Sequence, residues 1–225
     1  MIHTCIPYAP KETGKNLGAA YNTFMAMLPE GDWACFLDHD AMFTTADWYP
    51  QLESIVNTLP ETHPGAGLLT VCTNRIGNDE QIIFRKSSRE ARNHDIHFHR
   101  AIGKKRQEEY GRQLRAAKHF ISGVVMLLSK KVWQQTAGFT DGFLKVDIDM
   151  DRQVRALGYT TFIMDGVYCY HYYRADGQTG EARGYAPDKN LPPVILEGYK
   201  KSWYPNVLGQ TRQFGKRIMK NINPR

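Results

Sequence analysis

Asp38-His39-Asp40 sets two carboxylates one residue apart, directly after the apolar run Trp33-Ala34-Cys35-Phe36-Leu37. A continuous apolar run reads as a strand covered on both faces. The carboxyl end of such a strand is where ligands bind in open α/β sheets. If the strand continued, alternate residues would point the same way. The pair would then offer hard oxygen ligands suited to Mg²⁺ or Mn²⁺ and, through the ion, to a diphosphate. The plain alternative is a surface turn, where Asp is common.

Val146-Asp147-Ile148-Asp149-Met150-Asp151 alternates acids with apolar residues ahead of a helical pattern. These acids fit either the positive N-terminal end of a helix or a general base that takes a proton from an attacking hydroxyl. With the helix expected to begin at Asp149, Asp147 projects from the preceding loop and is the preferred base. His171, in Tyr170-His171-Tyr172-Tyr173-Arg174 at the end of the last expected strand, would complete a metal site begun by Asp38 and Asp40. The alternative for a lone histidine is a structural role. His94, His97 and His99 form an HxxHxH group without a cysteine partner, a poor match to a four-ligand zinc site. No GxSxG elbow, Walker phosphate loop or GxGxxG turn occurs.

The elements that must position these groups follow from hydrophobic periodicity. Strands are expected at Ile2 to Ile6, Trp33 to Leu37, Gly67 to Cys72, Phe120 to Leu128, Thr160 to Met164 and Val167 to Tyr173. Helices are expected at Asn16 to Leu28, Trp48 to Leu59 (stopping before Pro60), Lys130 to Thr136 and Asp149 to Leu157. Strands alternating with helices imply a layered α/β domain. A polar stretch from Ser87 to Lys118, helical in its C-terminal half, reads as an insertion or lid. After Arg174 glycines and prolines dominate.

With 225 residues, 42% of them hydrophobic and 23% charged, the chain fits one globular domain and excludes global disorder. Cys5, Cys35, Cys72 and Cys169 lie far apart without a CxxC pair, which excludes a disulfide scaffold and suits a reducing compartment. The N-terminal residues lack the pattern of a signal peptide and no apolar run approaches ~20 residues, so a cytoplasmic protein is expected. The net charge of +6 is uneven. Eleven basic residues oppose four acids between Arg85 and Lys118, and seven oppose none between Tyr199 and Arg225. Two basic segments on an acidic body suggest an anionic ligand, a membrane surface or nucleic acid. The bland alternative is a solvated helix face and a frayed tail.

Taken in order, these motifs resemble a GT-A glycosyltransferase of the family 2 type over residues 1–174. Ile6-Pro7-Tyr8 is similar to that family's first strand and its Pro-aromatic end. Asn16-Leu17-Gly18-Ala19-Ala20-Tyr21-Asn22 resembles its Gly/Asn helix, and Phe36-Leu37-Asp38-His39-Asp40 its DxD box. Ile121-Ser122-Gly123-Val124-Val125-Met126, Gly138-Phe139-Thr140-Asp141 and Asp147-Ile148-Asp149 through Arg155-Ala156-Leu157-Gly158-Tyr159 look like its later block. Two departures stand out. Only Ala9 to Lys15 separates the first strand from the Gly/Asn helix, so the nucleotide-binding half is abbreviated. Val146 also stands where the family has a Glu ahead of the catalytic Asp.

The resemblance implies a GT-A mixed sheet flanked by helices, with a basic insertion at 85–118 and a C-terminal extension at 175–225. It implies an inverting, metal-dependent transfer of a sugar from a nucleoside-diphosphate sugar, UDP being the expected carrier, to an acceptor hydroxyl on a glycan, lipid or protein. Asp38, Asp40 and His171 would hold Mn²⁺ or Mg²⁺. Asp147, supported by Asp149, would be catalytic. Pro7, Tyr8, Asn16, Asn22, Asp38, Ser122 and Gly123 would bind the donor, and Trp48, Trp133 and Phe139 are candidates for stacking on sugar rings. The basic tail is expected to allow peripheral contact with an anionic membrane. The same carboxylates would also serve a nucleotidyltransferase or phosphohydrolase, and the basic segments a nucleic-acid-binding protein.

Overall fold

The computed structural model describes residues 1–9, 14–86 and 88–172. Within it, Met1–His171 forms one compact unit. The expected extension at 175–225, with its basic tail, lies outside the described residues. The elements run β1 (Ile2–Cys5), α1 (Leu17–Met27), β2 (Trp33–Leu37), β3 (Ala41–Phe43), α2 (Trp48–Thr62) and β4 (Ala66–Thr73). They continue with α3 (Ile96–Tyr110), β5 (Leu114–Ala116), β6 (Val125–Ser129), α4 (Lys130–Trp133), α5 (Val146–Ala156) and β7 (Thr160–His171).

All seven strands join one sheet in the order β1-β2-β6-β4-β7-β3, with β5 also on β7. The pairs β1/β2 and β4/β7 are parallel, while β6 lies antiparallel between β2 and β4. The architecture is therefore α/β with a mixed sheet flanked by helices, as expected at that level and compatible with a Rossmann-like arrangement. The apolar strands are explained by burial on both faces. Ala34, Phe36, Met126 and Leu128 pack with α1 and α5 through Tyr21, Met25, Met150 and Val154. Their neighbours Cys35, Val125 and Leu127 pack on the opposite face with Leu52, Ile55 and Leu59 of α2. The side-chain alternation of a strand thus divides the apolar residues between two cores.

Several expected boundaries move. Helix α2 continues through Pro60 to Thr62, and the His63 N–H closes onto the Leu59 carbonyl at 2.8 Å. A proline in the last turn removes few bonds, so it does not end the helix there. The two late strands are one, because Asp165-Gly166-Val167 forms a register shift opposite Val71/Cys72 rather than a turn. Asp165 is fixed by the Arg115 guanidinium at 3.1 Å. Gly166 lies so close to the backbone of Gly111 that an added Cβ would sit 2.0 Å from its carbonyl oxygen. Strand β6 begins at Val125, so Ser122-Gly123 precedes it, and helix α5 begins at Val146 rather than Asp149. The segment expected as a lid is built into the domain: α3 packs on β7 and β5 pairs with it.

Candidate metal centre and carboxylate site

Three elements deliver the central groups. Strand β2 ends at Leu37, and the chain turns through Asp38-His39-Asp40 into β3, closing an Ala41 N–H to Asp38 carbonyl bond of 3.1 Å. Strand β3 then pairs antiparallel with the end of β7, setting Ala41 opposite His171. One possible ligand atom from each of Asp38, Asp40 and His171 falls within a 4.8 Å group, the only such cluster of at least three acidic, His or Cys residues among the described residues. The expected triad is thus brought together, although Asp38 and Asp40 reach it through a turn and not through strand alternation.

His171 is held with unusual completeness. Its backbone N–H donates to Asn74 Oδ1 at 2.7 Å, and its carbonyl accepts from Asn74 Nδ2 at 3.0 Å. Its Nδ1 lies 2.7 Å from the Arg75 carbonyl oxygen. A carbonyl only accepts, so Nδ1 carries the proton, and in the neutral ring Nε2 presents a lone pair. That lone pair faces Asp40 Oδ1 at 3.2 Å, with both side chains less than a tenth exposed. Burial pushes the Asp38 carboxyl up to about 6; the His171 side chain pulls it back, while Asp40 and Asp147 raise it further. Two oxygen donors and one imidazole fit Mn²⁺ or Mg²⁺ by donor type.

Asp147 sits in the first turn of α5, as the second residue of the helix and not in the loop expected ahead of it. Its Oδ2 accepts the Gly123 N–H at 2.7 Å and its Oδ1 accepts the Ile148 N–H at 2.9 Å. Burial raises its carboxyl above the ordinary range, and these backbone donors partly offset the effect. One residue on from Gly123, the Val124 carbonyl accepts the Asp38 N–H at 3.1 Å. Successive backbone groups of Gly123-Val124 therefore tie the base candidate to the Asp38-His39-Asp40 turn. The approach is close: a Cβ on Gly123 would lie 3.0 Å from Asp147 Cβ, so Asp147 would have to give by a few tenths of an ångström. The close approach expected of a sugar is made in this structure by the carboxylate itself.

The other expected site residues divide clearly. Ser122 leads into this segment, its N–H and carbonyl both held by the buried Gln81. Asn16 caps α1 by accepting the Ala19 N–H and also binds Asp141 and the Gly142 N–H. Asn22 holds both backbone groups of Phe139 and accepts from the Trp133 indole. Both amides thus fasten α1 to the 138–142 loop that leads into α5. Asp149 pairs with Arg152 at 2.8 Å. Tyr8 is 81% exposed beyond β1, next to the partly buried Pro7. Phe139 is core, and Trp48 stacks on Phe43 with ring centroids 4.3 Å apart. The HxxHxH group does not converge on a metal. His94 meets the Tyr170 hydroxyl, and His99 meets the Tyr168 hydroxyl and the Asn93 carbonyl.

Sequence reasoning missed Asn74, Gln81 and Tyr21. The first two clamp the backbone of His171 and Ser122. Burial raises the Tyr21 hydroxyl well above its usual range, with Asp38 and then Asp147 adding to it. The only signal for Asn74 was a polar side chain placed just after a buried strand, and Gln81 had no such signal.

Comparison of the chain with protein-family models, with curated proteins and with solved structures gives no match. Among the described residues no helix is long and apolar enough to cross a membrane.

Proposed function

We propose that the chain is a metal-dependent glycosyltransferase that moves a sugar from a nucleoside-diphosphate sugar, with UDP the expected carrier, to an acceptor hydroxyl with inversion. The observation that carries this reading is the convergence of Asp38, Asp40 and His171 beside Asp147, linked through Gly123-Val124. Bound Mn²⁺ or Mg²⁺ would supply Lewis-acid stabilisation of the charge that develops on the leaving diphosphate. Asp38, Asp40 and His171 Nε2 would hold it. The Arg75 carbonyl keeps the Nδ1 proton in place, so Nε2 remains the ligating nitrogen.

Asp147 would take the acceptor hydroxyl proton. Each of its oxygens accepts one backbone N–H and retains a second lone pair for that proton. Burial, which raises its carboxyl, makes it a stronger base than an exposed aspartate. The fixed backbone around Gly123 orients it without reorganisation in the transition state. A GT-A relationship, a cytoplasmic setting and peripheral contact with anionic membrane belong to the same proposal.

The test is a melting-temperature series on the full chain with MnCl₂, UDP and both together. Ligands that bind the folded state stabilise it by about 2.7 kcal/mol at a hundredfold excess over Kd. UDP is expected to raise Tm only with Mn²⁺ present, and Asp40→Ala is expected to abolish that shift. A wild-type chain indifferent to Mn²⁺ plus UDP would overturn the reading. Product analysis separates the competing chemistry: sugar transfer releases UDP, whereas a nucleotidyltransferase or phosphohydrolase cleaves the diphosphate and yields UMP. Of the eleven basic residues in the insertion, Arg106 and Arg115 are drawn to Asp165, which removes those two from a nucleic-acid surface.

A further inference from the structure

A cleft of about 640 Å³ opens between the β3–α2 connection and one face of α3. Its volume lies within the range of small-molecule sites. One wall is apolar, formed by Met42, Phe43 and Trp48, the last two stacked with an interplanar angle of 3°. The opposite wall is a stripe along α3. Arg100, Lys104 and Gln107 recur at helical spacing and face the cleft, while His99 and Gly103 are buried on the side of the helix facing the domain.

The charges on that stripe are uncommitted. Arg100 has no ion pair, hydrogen bond or ring contact among the described residues, and Lys104 reaches only Glu108 at 3.8 Å, both groups largely exposed. The one acid in the lining, Asp47, is engaged by Gln107 Nε2 at 2.6 Å. A lysine or arginine pair opposite an aromatic wall selects a compact organic anion with an apolar face. The cleft is also tied to the metal centre by chain connectivity. Asp40 immediately precedes β3, and Met42 follows two residues later, about 7 Å along an extended strand.

We propose that this cleft binds the anionic group of the acceptor, a phosphorylated or carboxylated sugar, and seats it beside the metal centre. The word acceptor rests on the glycosyltransferase reading; the anion site itself does not. Arg100 and Lys104 hold the anion, and Trp48 with Met42 covers the ring.

The experiment titrates the full chain, in EDTA so that no metal recruits the anion, with glucose 6-phosphate, glucuronate, glucose and inorganic phosphate, read by NMR shifts of the Trp48 indole. The two anionic sugars are expected to bind, with glucose and phosphate each at least about tenfold weaker, since loss of a charged hydrogen bond or of the apolar contact is worth about that factor. Arg100→Gln combined with Lys104→Gln is expected to weaken both anionic sugars more than tenfold. Lys105→Gln, which removes an exposed charge outside the cleft lining, is expected to leave their binding unchanged. Absence of binding by both sugars, or equal binding by wild type and the double variant, overturns the proposal. Displacement of the bound sugar by UDP with excess Mn²⁺ also overturns it, by assigning the cleft to the donor. Failure of UDP and Mn²⁺ to bind at all, with the anionic sugars still bound, would leave the cleft standing and remove the glycosyltransferase reading.

Discussion

Asp147 accepts two backbone N–H groups, one on each oxygen, and this governs what its replacement does. In Asp147→Asn the amide NH₂ must face either the Gly123 or the Ile148 N–H, setting donor against donor. The variant is therefore expected to lose turnover by about 10²–10⁴-fold, as removal of a general base does. It is also expected to lose stability by roughly 1–3 kcal/mol, the cost of leaving a buried N–H unsatisfied. Single-turnover kinetics and thermal unfolding measured on the same preparation check both, with retained Mn²⁺-dependent UDP binding as the control for folding. Unchanged turnover would remove Asp147 from the mechanism. At this scale the sequence was most informative about residue type. Asp38, Asp40, His171 and Asp147 stood out by residue type and spacing, although a surface turn, a helix N-terminus and a structural histidine were open alternatives for them. Asn16 and Asn22 were equally visible, yet their amides join α1 to the 138–142 loop, and nothing in a sequence separates an amide that binds ligand from one that satisfies a backbone. Asn74 and Gln81 went unread for the same reason: their importance lies in which backbone groups they meet, which only the fold decides.

Elements were legible where hydrophobic period was strong and illegible where length was short. The apolar runs of β2 and β4 and the amphipathic pattern of α2 needed no tertiary information. The three-residue strands β3 and β5 exist only because β7 offers one edge to both, so their own residues carry little signal. The basic segment was read as an insertion or lid, with a solvated helix face as the bland alternative. Helix α3 is nevertheless anchored by His99, which is fully buried with both ring nitrogens engaged. Burial lowers the His99 pKa, against a smaller opposing pull from the Asn93 carbonyl and Asp95. The unfolded chain, with a histidine near 6.5, then takes up a proton that the folded state resists, so stability present above about 6.5 is lost as pH falls toward the lowered folded value. Asp38 acts in the opposite sense, its raised carboxyl favouring the folded state as pH falls from about 6. The comparison must therefore be between variants. His99→Phe is expected to melt lower than wild type at about pH 7.5, since the Asn93 carbonyl and Tyr168 hydroxyl lose partners, but to lose less Tm on going to about pH 5.5. Parallel Tm-against-pH curves for the two proteins would show that His99 does not titrate in folding.

On the scale of the whole molecule, the two cores lie on opposite faces of one sheet and share its strands. In β6, Leu127 belongs to the core beneath α2 and Leu128 to the core beneath α1 and α5, both fully buried. Neither core can lose its strands while the other keeps them, so Met1–His171 should unfold as a single cooperative unit. The proposed metal centre would reinforce this, because Asp38, Asp40 and His171 come from the end of β2, the turn into β3 and the end of β7. A cation held there joins strands from both halves of the sheet. Leu127→Ala and Leu128→Ala are each expected to cost about 2–5 kcal/mol from lost transfer energy and residual cavity. For a domain of this size that lowers Tm by roughly 5–15 °C. Tryptophan fluorescence, which reports Trp33, Trp48 and Trp133 together with Trp203 outside the described residues, and far-ultraviolet circular dichroism, which reports the sheet and helices, should show one coincident transition in each variant. Saturating Mn²⁺ with UDP should raise Tm in both variants alike, because one folded state carries the site. Two separated transitions in either protein, or rescue by the ligands of only one of them, would show that the faces of the sheet fold independently and that the metal centre belongs to one of them alone.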